Sequence, residues 1–377
     1  MMQQPIDTPD KKYSVVVWAT GRVGKLAIRT VTDRPNLDLV GVWVHSESKD
    51  GQDAGVLAEI EPVGVAATRD KEAILESDAD CIVYTGPATN RPREAIEDFC
   101  RILEAGKNLV TTSLPGLVYP RGSMRPSTLT RITDAAIRGD SSIYSTGIEP
   151  GFGCDLFAIA LTSMSSRVYS IRGLEITDYS RDNTTYEMRE LFGFGQQLDY
   201  QGGLMIPGVI TFGWGAAVTM VAEALGVQLE EIRETCEFAP APCRLETASG
   251  VIDEGSVGAV WFKCIGMVDG EEAITIEHID RMSEDIAPHW PKSRARGIDG
   301  VWRVIIEGEP SFDAEFEVGF NADEDSTFHG LLATGMRAVN AIPWVCAAPP
   351  GIVDALHLPN TPAIGALRPK RDGIPTL

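Results

Sequence analysis

The sequence predicts an α/β protein of two lobes, a doubly wound parallel sheet followed by an α+β lobe built on an open, mainly antiparallel sheet. Three observations predict it. Between residues 13 and 145 short β-rich runs alternate with helical stretches, the pattern of βαβ units. The runs "VYTG" and "LVTT" are apolar without strict alternation, as strands covered on both faces are. After "STGIEPGFG" the strands become long and lose their return helices.

The elements follow in order. "YSVVVWA" reads as the first strand and "KLAIRTVTDRP" as the first helix, followed by the strand "LDLVGVWVHS" and the polar stretch "ESKDGQDAGVLAEIE". "DCIVYTG", "KNLVTT" and "SSIYSTG" are further strands, separated by "RPREAIEDFCRILEAG" and "LTRITDAAIRGD". In the former helix Ala95, Ile96, Phe99, Ile102 and Leu103 share a stripe, and Gly106 stands just past its end. Residues 156–165 read as helix, "VYSIRGLEITDYS" as a strand, and residues 257–282 and 300–318 as long strands. Asp269-Gly270 supplies a hairpin signal between two strand-like arms. Residues 328–348 read as a helix that returns to the first lobe. The expected division is a dinucleotide-binding domain over 1–150, a substrate and dimerisation domain over 151–327, and a C-terminal segment over 328–377.

Composition narrows the function. The chain has 377 residues, 44% of them apolar, enough for large cores without disulfide staples. A formal charge of −21 argues against nucleic acid or an anionic membrane as partner. The polar start "MMQQPIDTPDKK" lacks the apolar segment of a leader, and no apolar run reaches the length of a membrane span. Seven cysteines without a C-x-x-C pair fit a reducing cytoplasm. The five histidines show no metal-ligand spacing, so no metal site is expected.

Between the first strand and helix lies Ala19-Thr20-Gly21-Arg22-Val23-Gly24, a phosphate loop of Rossmann type in which alanine replaces the first glycine. Alanine meets the tight turn there if its backbone stays at negative φ. Gly21 lets the backbone approach a pyrophosphate, Gly24 lets helix and strand pack closely, and the helix N-terminus complements the negative charge. A junction that needs small residues only for packing is the alternative.

The second strand ends in His45-Ser46-Glu47-Ser48-Lys49. A hydroxyl at Ser46, with His45, Lys49 and Arg22 near it in sequence, suits a 2′-phosphate and hence NADP. Glu47 turned inward would restore NAD. Thr85, Gly86 and Thr112 follow later strands, on the side where ligands bind in such sheets, and are candidates to line the cofactor or to serve simply as turn residues.

The segments "VWATGRVG", "VGVWVHSESKDGQDAG", "NLVTTSLPGLVYP", "TGIEPGFGCDLFAIAL" and "VNAIPWVCAAPPGI" run in order over almost the whole chain. Together they resemble the dihydrodipicolinate-reductase-like oxidoreductases that include 2,4-diaminopentanoate dehydrogenase and the native NADP-dependent amine dehydrogenases. The resemblance implies a nicotinamide cofactor, a small-molecule carbonyl, imine or amine substrate, a homodimer, and reduction of a carbonyl through an imine to an amine or the reverse. It implies that the residues around Ser46 meet the adenosine ribose and that Asn340 lies near the nicotinamide.

One departure stands out. Amine-forming members carry a glutamate pair in the loop that matches 108–120, where this chain has Ser113-Leu114-Pro115-Gly116 and no carboxylate. Glu149, where relatives carry an uncharged amide, is the substitute candidate. A shielded carboxyl there would exchange a proton near neutrality, or it would cap the turn beside Pro150. Asp155 reads as an acid at the start of the next helix. Tyr179, with Arg181, Tyr186 and Glu187 nearby in sequence, is a candidate proton donor or a lining residue, and "LMIPGVITFGWG" reads as pocket lining or core helix. The His-His and Lys constellation of true dihydrodipicolinate reductases is missing. The expected function is an NADP-dependent hydride transfer to C=O or C=N, with an amine dehydrogenase using Glu149 as base, or a non-catalytic NADP sensor, as alternatives.

Overall fold

The computed structural model describes residues 11–88, 91–294, 297, 300–319, 325–358 and 361–367. Most of the polar start, and Thr89 and Asn90 after the fourth strand, lie outside the described residues. The chain divides into two compact units, one running up to Val118 and including Met124–Gly147 and the chain from Leu331, the other holding Tyr119–Ser123 and Ile148–Gly330. The divisions thus fall at 147/148 and 330/331, against the expected 150/151 and 327/328, and the short excursion at Tyr119–Ser123 has no signal in the sequence.

The first unit opens with β1 (Tyr13–Trp18), α1 (Arg22–Asp33), β2 (Leu37–Trp43), α2 (Ala54–Leu57), β3 (Ala67–Thr68), α3 (Lys71–Glu76) and β4 (Cys81–Tyr84). It continues with α4 (Pro92–Glu104), β5 (Asn108–Thr111), α5 (Pro126–Arg138) and β6 (Ser142–Ser145). The second unit contains α6 (Leu156–Thr162), β7 (Arg167–Asp178), α7 (Val209–Ala224), β8 (Glu231–Pro240), β9 (Leu245–Thr247) and β10 (Gly250–Ile252). It is completed by β11 (Val257–Val268), β12 (Glu271–Arg281), β13 (Val301–Glu309) and β14 (Phe312–Glu317). The chain then forms α8 (Ser326–Val345) and β15 (Gly351–Val353).

In the first unit seven strands pair in the order β15-β6-β5-β4-β1-β2-β3, every pair parallel. The chain leaves β1 toward β2 and β3 and then crosses to β4 on the other side, so the strand order reverses between β1 and β4. That is where ligands bind in doubly wound sheets. Val15, Val16 and Val17 are fully buried, as expected for a strand covered on both faces. Helix α1 turns Leu26, Ala27, Ile28 and Val31 inward, and α4 buries Ala95, Phe99, Ile102 and Leu103. Pro92 begins α4, where its missing N–H costs nothing, and Gly106 follows the helix with φ +76°.

The second unit carries a six-stranded sheet in the order β14-β13-β7-β12-β11-β8, antiparallel except for the β7–β12 pair. Asp269 and Gly270, both at positive φ, form the tight turn between β11 and β12. Side chains alternate between the two faces. Val260, Phe262 and Cys264 of β11 and Ile274 and Ile276 of β12 are buried. Helix α7 covers their face, with Trp214 against Phe262 at 4.5 Å between ring centroids. Gly266 carries no side chain where α7 comes closest; an added Cβ would lie 2.7 Å from Val218 Cγ1.

Candidate active site

In the first unit the site is the turn between β1 and α1. The Ala19 N–H donates to the Trp43 carbonyl at 2.9 Å, fixing the end of β1 against β2. Ala19 has φ +83°, so the expected negative φ is wrong: the alanine occupies the left-handed region that glycine normally fills. Its carbonyl lies across Gly24, where an added Cβ would stand 2.1 Å from the Ala19 oxygen and 2.8 Å from Thr85 Oγ1. Thr85 clamps the turn from β4, its hydroxyl donating to the carbonyls of Trp18 at 3.2 Å and Ala19 at 3.3 Å. Turn geometry thus requires glycine at 24 and tolerates a strained alanine at 19.

Gly21 behaves differently. Its φ is −72° and an added Cβ would meet nothing within 4 Å, so no contact inside the unit demands glycine there. It is the N-cap of α1, with no side-chain cap and no acidic residue in the first turn, so the positive end of the helix dipole is not offset by a carboxylate of its own first turn. Lys49 adds charge beside this loop, its Nζ donating to Thr20 Oγ1 at 3.0 Å and to the Thr20 carbonyl at 3.3 Å. These residues fit the pyrophosphate of a nicotinamide dinucleotide.

Other expected residues are placed as follows. Arg22 and Val23 begin α1 and are half-buried. His45 and Ser46 are exposed just beyond β2, and Ser46 precedes a short 3₁₀ turn at Glu47–Lys49 without capping it. Gly86 is buried against the Tyr84 ring, and the Thr112 N–H donates to the Tyr84 carbonyl at 3.4 Å. Asn340 lies on α8. Its Oδ1 accepts from Arg34, the residue that ends α1, at 3.3 Å, whereas Gly335 of α8 lies against Val23 in the first turn of α1.

In the second unit the turn from Glu149 to Asp155 lies over β7 and β13. Glu149 Oε2 accepts the Cys154 N–H at 2.8 Å, while Oε1 is buried without a partner. Burial, reinforced by Asp155 and Glu175, pushes the Glu149 carboxyl well above the ordinary range. Asp155 caps α6 and also accepts the Gly151 N–H at 2.7 Å. Two glycines seat the turn: an added Cβ at Gly153 would lie 2.3 Å from Trp302, and one at Gly173 would lie 2.5 Å from Cys154 Cβ.

Two residues along β7 from Gly173, Glu175 points to the same face. Trp302 Nε1 donates to its Oε2 at 2.9 Å and the Tyr179 hydroxyl donates to its Oε1 at 3.0 Å. Tyr179 is therefore placed beside the acidic cluster with its proton directed to Glu175. Arg181 and Tyr186 are exposed, and "LMIPGVITFGWG" runs into α7.

His278 stands in register with Glu175, and Asp280 with Thr177, on the parallel neighbour β12. His278 Nδ1 is 3.5 Å from Glu175 Oε1. The imidazole lies parallel to Phe262 at 4.7 Å, with Trp214 edgewise at 4.8 Å. Burial lowers its pKa to about 3, so the ring is neutral. Burial raises Glu175 to about 7 and lifts Asp280 well above its usual value. Sequence reasoning missed Glu175, His278 and Asp280. A signal was present: in "ITIEHID" His278 and Asp280 continue the inward parity of Ile274 and Ile276, so two polar residues occupy core positions.

A parallel sheet that reverses order at β1 and β4, with a tight turn opening onto a helix N-terminus, defines the first unit as the dinucleotide-binding domain of an oxidoreductase. Residues 14–112 match the family described as dihydrodipicolinate reductase, N-terminus, and residues 152–371 match the 2,4-diaminopentanoate dehydrogenase C-terminal domain. An amine dehydrogenase of Streptomyces virginiae is 38% identical over 95% of this chain and 99% of its own. The 2,4-diaminopentanoate dehydrogenase of Acetoanaerobium sticklandii is 24% identical over 94% and 95%. The solved amine dehydrogenase of Mycobacterium smegmatis shares the fold, with a TM-score of 0.74 at 21% identity, covering 94% of this chain and 98% of that one. The chain belongs to the amine dehydrogenase and 2,4-diaminopentanoate dehydrogenase family of NAD(P)-dependent oxidoreductases. Among the described residues no helix is long and apolar enough to cross a membrane.

Two predictions follow from this geometry. Ala19→Gly relieves a left-handed alanine and raises unfolding free energy by about 0.5–1 kcal/mol, whereas Gly24→Ala lowers it by about 3 kcal/mol or more, both read from denaturant midpoints. Glu175, raised from 4.5 to about 7, binds its proton more tightly folded than unfolded. Its contribution is therefore full below about pH 4.5 and is lost as pH rises toward 7, on the order of 3 kcal/mol in all. Unfolding midpoints measured from pH 4.5 to 7.5 should fall, and Glu175→Gln should flatten that slope.

Proposed function

We propose that the protein is an NADP-dependent oxidoreductase that exchanges hydride with a C=O or C=N carbon of a small or medium, largely hydrophobic substrate, and that Glu149 exchanges the accompanying proton. The observation that carries this reading is the Glu149 carboxyl: buried, raised by its acidic neighbours, held by one oxygen and unpartnered at the other. Such a group holds a proton near neutrality and can deliver it through Oε1. A bound nicotinamide supplies or takes up the hydride at its C4, and the chain's own residues orient the partners and manage the proton.

The Ser113–Gly116 loop contributes no carboxylate to this chemistry. With ammonia as nitrogen source, Glu149 would give its proton to the hydroxyl that departs as water from the carbinolamine and recover one from the nitrogen, which is the amine dehydrogenase form of the same reading. Tyr179 then acts on Glu175 by its hydrogen bond rather than as a donor to substrate. The ring set of Phe192, Phe194, Phe262 and Trp214 supports a hydrophobic substrate.

NADP is supported by exposed His45 and Ser46 after β2 and by Lys49 held at Thr20, which together suit a phosphate better than a bare ribose. Exposed Glu47 belongs to the same turn, so the balance between NADP and NAD rests on Ser46 and Lys49. The family likeness and seven free thiols support a homodimer and a cytoplasmic setting respectively.

Glu149→Gln keeps an acceptor for the Cys154 N–H and should lower kcat by about 10²–10⁴ with NADPH affinity unchanged; a variant as fast as the parent removes the assignment. Ser46→Ala should weaken NADPH binding by about tenfold relative to NADH. Equal affinity for the two coenzymes, before and after that change, contradicts the choice of NADP.

A further inference from the structure

We infer that Glu175, His278 and Asp280 form a binding site for a divalent transition ion such as zinc. No step of the proposed reaction passes through a metal, so the site stands or falls independently of that reaction. Histidine spacing gives no sign of it in the sequence, because the three ligands converge from two strands.

His278 and Asp280 are two residues apart on β12 and project to one face, where Glu175 of the parallel neighbour β7 stands in register with His278. All three are buried, and one ligand atom from each lies within 4.8 Å of the other two. Both ring nitrogens of His278 and both oxygens of Asp280 lack a hydrogen-bond partner in the chain. The approach of His278 Nδ1 to Glu175 Oε1, at 3.5 Å, is long for a hydrogen bond. Buried polar atoms left this way are costly, so their retention in a core calls for a ligand from outside the chain.

The donor set and its spacing select a transition ion. Ligands of a tetrahedral zinc at about 2.0–2.1 Å stand about 3.4 Å apart, and the edge from His278 Nδ1 to Glu175 Oε1 is 3.5 Å. The other edges, at most 4.8 Å, have to shorten by about 1.4 Å or less to close on the same ion. Imidazole and carboxylate together are the nitrogen and oxygen donors of zinc and its neighbours, where magnesium and calcium take oxygen alone. Burial keeps the His278 ring neutral, the form whose nitrogen ligates. Two carboxylates and one divalent ion sum to zero charge, the balance a buried site requires, and the ion takes the place of protons that burial otherwise holds on these groups. Outer partners are also in place. The Tyr179 hydroxyl and Trp302 Nε1 each donate to one oxygen of Glu175, which orients the carboxylate and leaves a lone pair at both oxygens. Arg281 follows Asp280 but projects from the alternate face, donating to the carbonyls of Ile286, Ala287 and Pro291. Three protein ligands leave a further position for water or another oxygen ligand.

The test needs neither coenzyme nor turnover, so its failure is separable from failure of the proposed reaction. The full-length protein, stripped with a chelator, is titrated with zinc, cobalt(II) and magnesium chlorides while heat, unfolding midpoint and the visible spectrum are followed. The expected result is one equivalent of zinc per chain with a raised midpoint, a far weaker response to magnesium, and cobalt bands of a tetrahedral site without thiolate charge transfer. Asp280→Asn should weaken zinc binding at least tenfold, and His278→Gln is the second variant should the first not fold. Cys243→Ser, which removes the exposed thiol, should leave binding unchanged. Zinc binding lost in Cys243→Ser, thiolate bands with cobalt, a magnesium response equal to that of zinc, unchanged affinity in the cluster variants, or no saturable binding at all overturns the proposal.

Discussion

The first unit depends on one close contact, the Ala19 carbonyl over the Cα of Gly24. It forces the chain from the end of β1 directly into α1, so the helix begins without a side-chain cap at the end of the strand. Thr85 ties the same carbonyl to the end of β4, joining the two strands at which the sheet reverses its order. The positive end of a helix dipole is thereby fixed where an anionic cofactor can use it, with no reorganisation required. The strain at Ala19 is the cost of keeping this turn with a methyl group in it.

The second unit rests on a different constraint, alternation. Inward positions of β7, β11 and β12 are apolar along most of their length, yet Glu175, His278 and Asp280 follow the same parity into the core. Burial keeps the imidazole neutral and the carboxyl groups hard to ionise. Such a cluster does not strengthen a core, and its concentration on one face beside Glu149 is the pattern expected of a chemically used surface.

Much of the fold was legible because its signals are local. The valine run of β1, the stripe of α4 and the Asp-Gly turn each follow from neighbours in sequence. The tight turn between β1 and α1 was readable for the same reason, although the sign of φ at Ala19 was not: it is set by the pull of Trp43 and Thr85 from other strands. The acidic cluster was invisible to spacing rules, since β7 and β12 contribute residues about a hundred positions apart through a parallel pairing. The three-residue β15 gave too short a pattern to identify, and the excursion of Tyr119–Ser123 to the second unit depends on contacts no local pattern encodes.

The most direct measurement is calorimetric titration of NADPH and NADH into the purified protein and into Gly21→Val. Position 21 has ordinary backbone angles and empty surroundings, so valine there costs only about 1 kcal/mol of N-cap preference and leaves the protein folded while obstructing whatever lies against the loop. The expected result is saturable binding of one coenzyme per chain in the parent and at least tenfold weaker binding in the variant. A folded parent that takes up neither coenzyme, or a variant that binds as the parent does, would contradict the central claim that this loop grips a dinucleotide through its backbone.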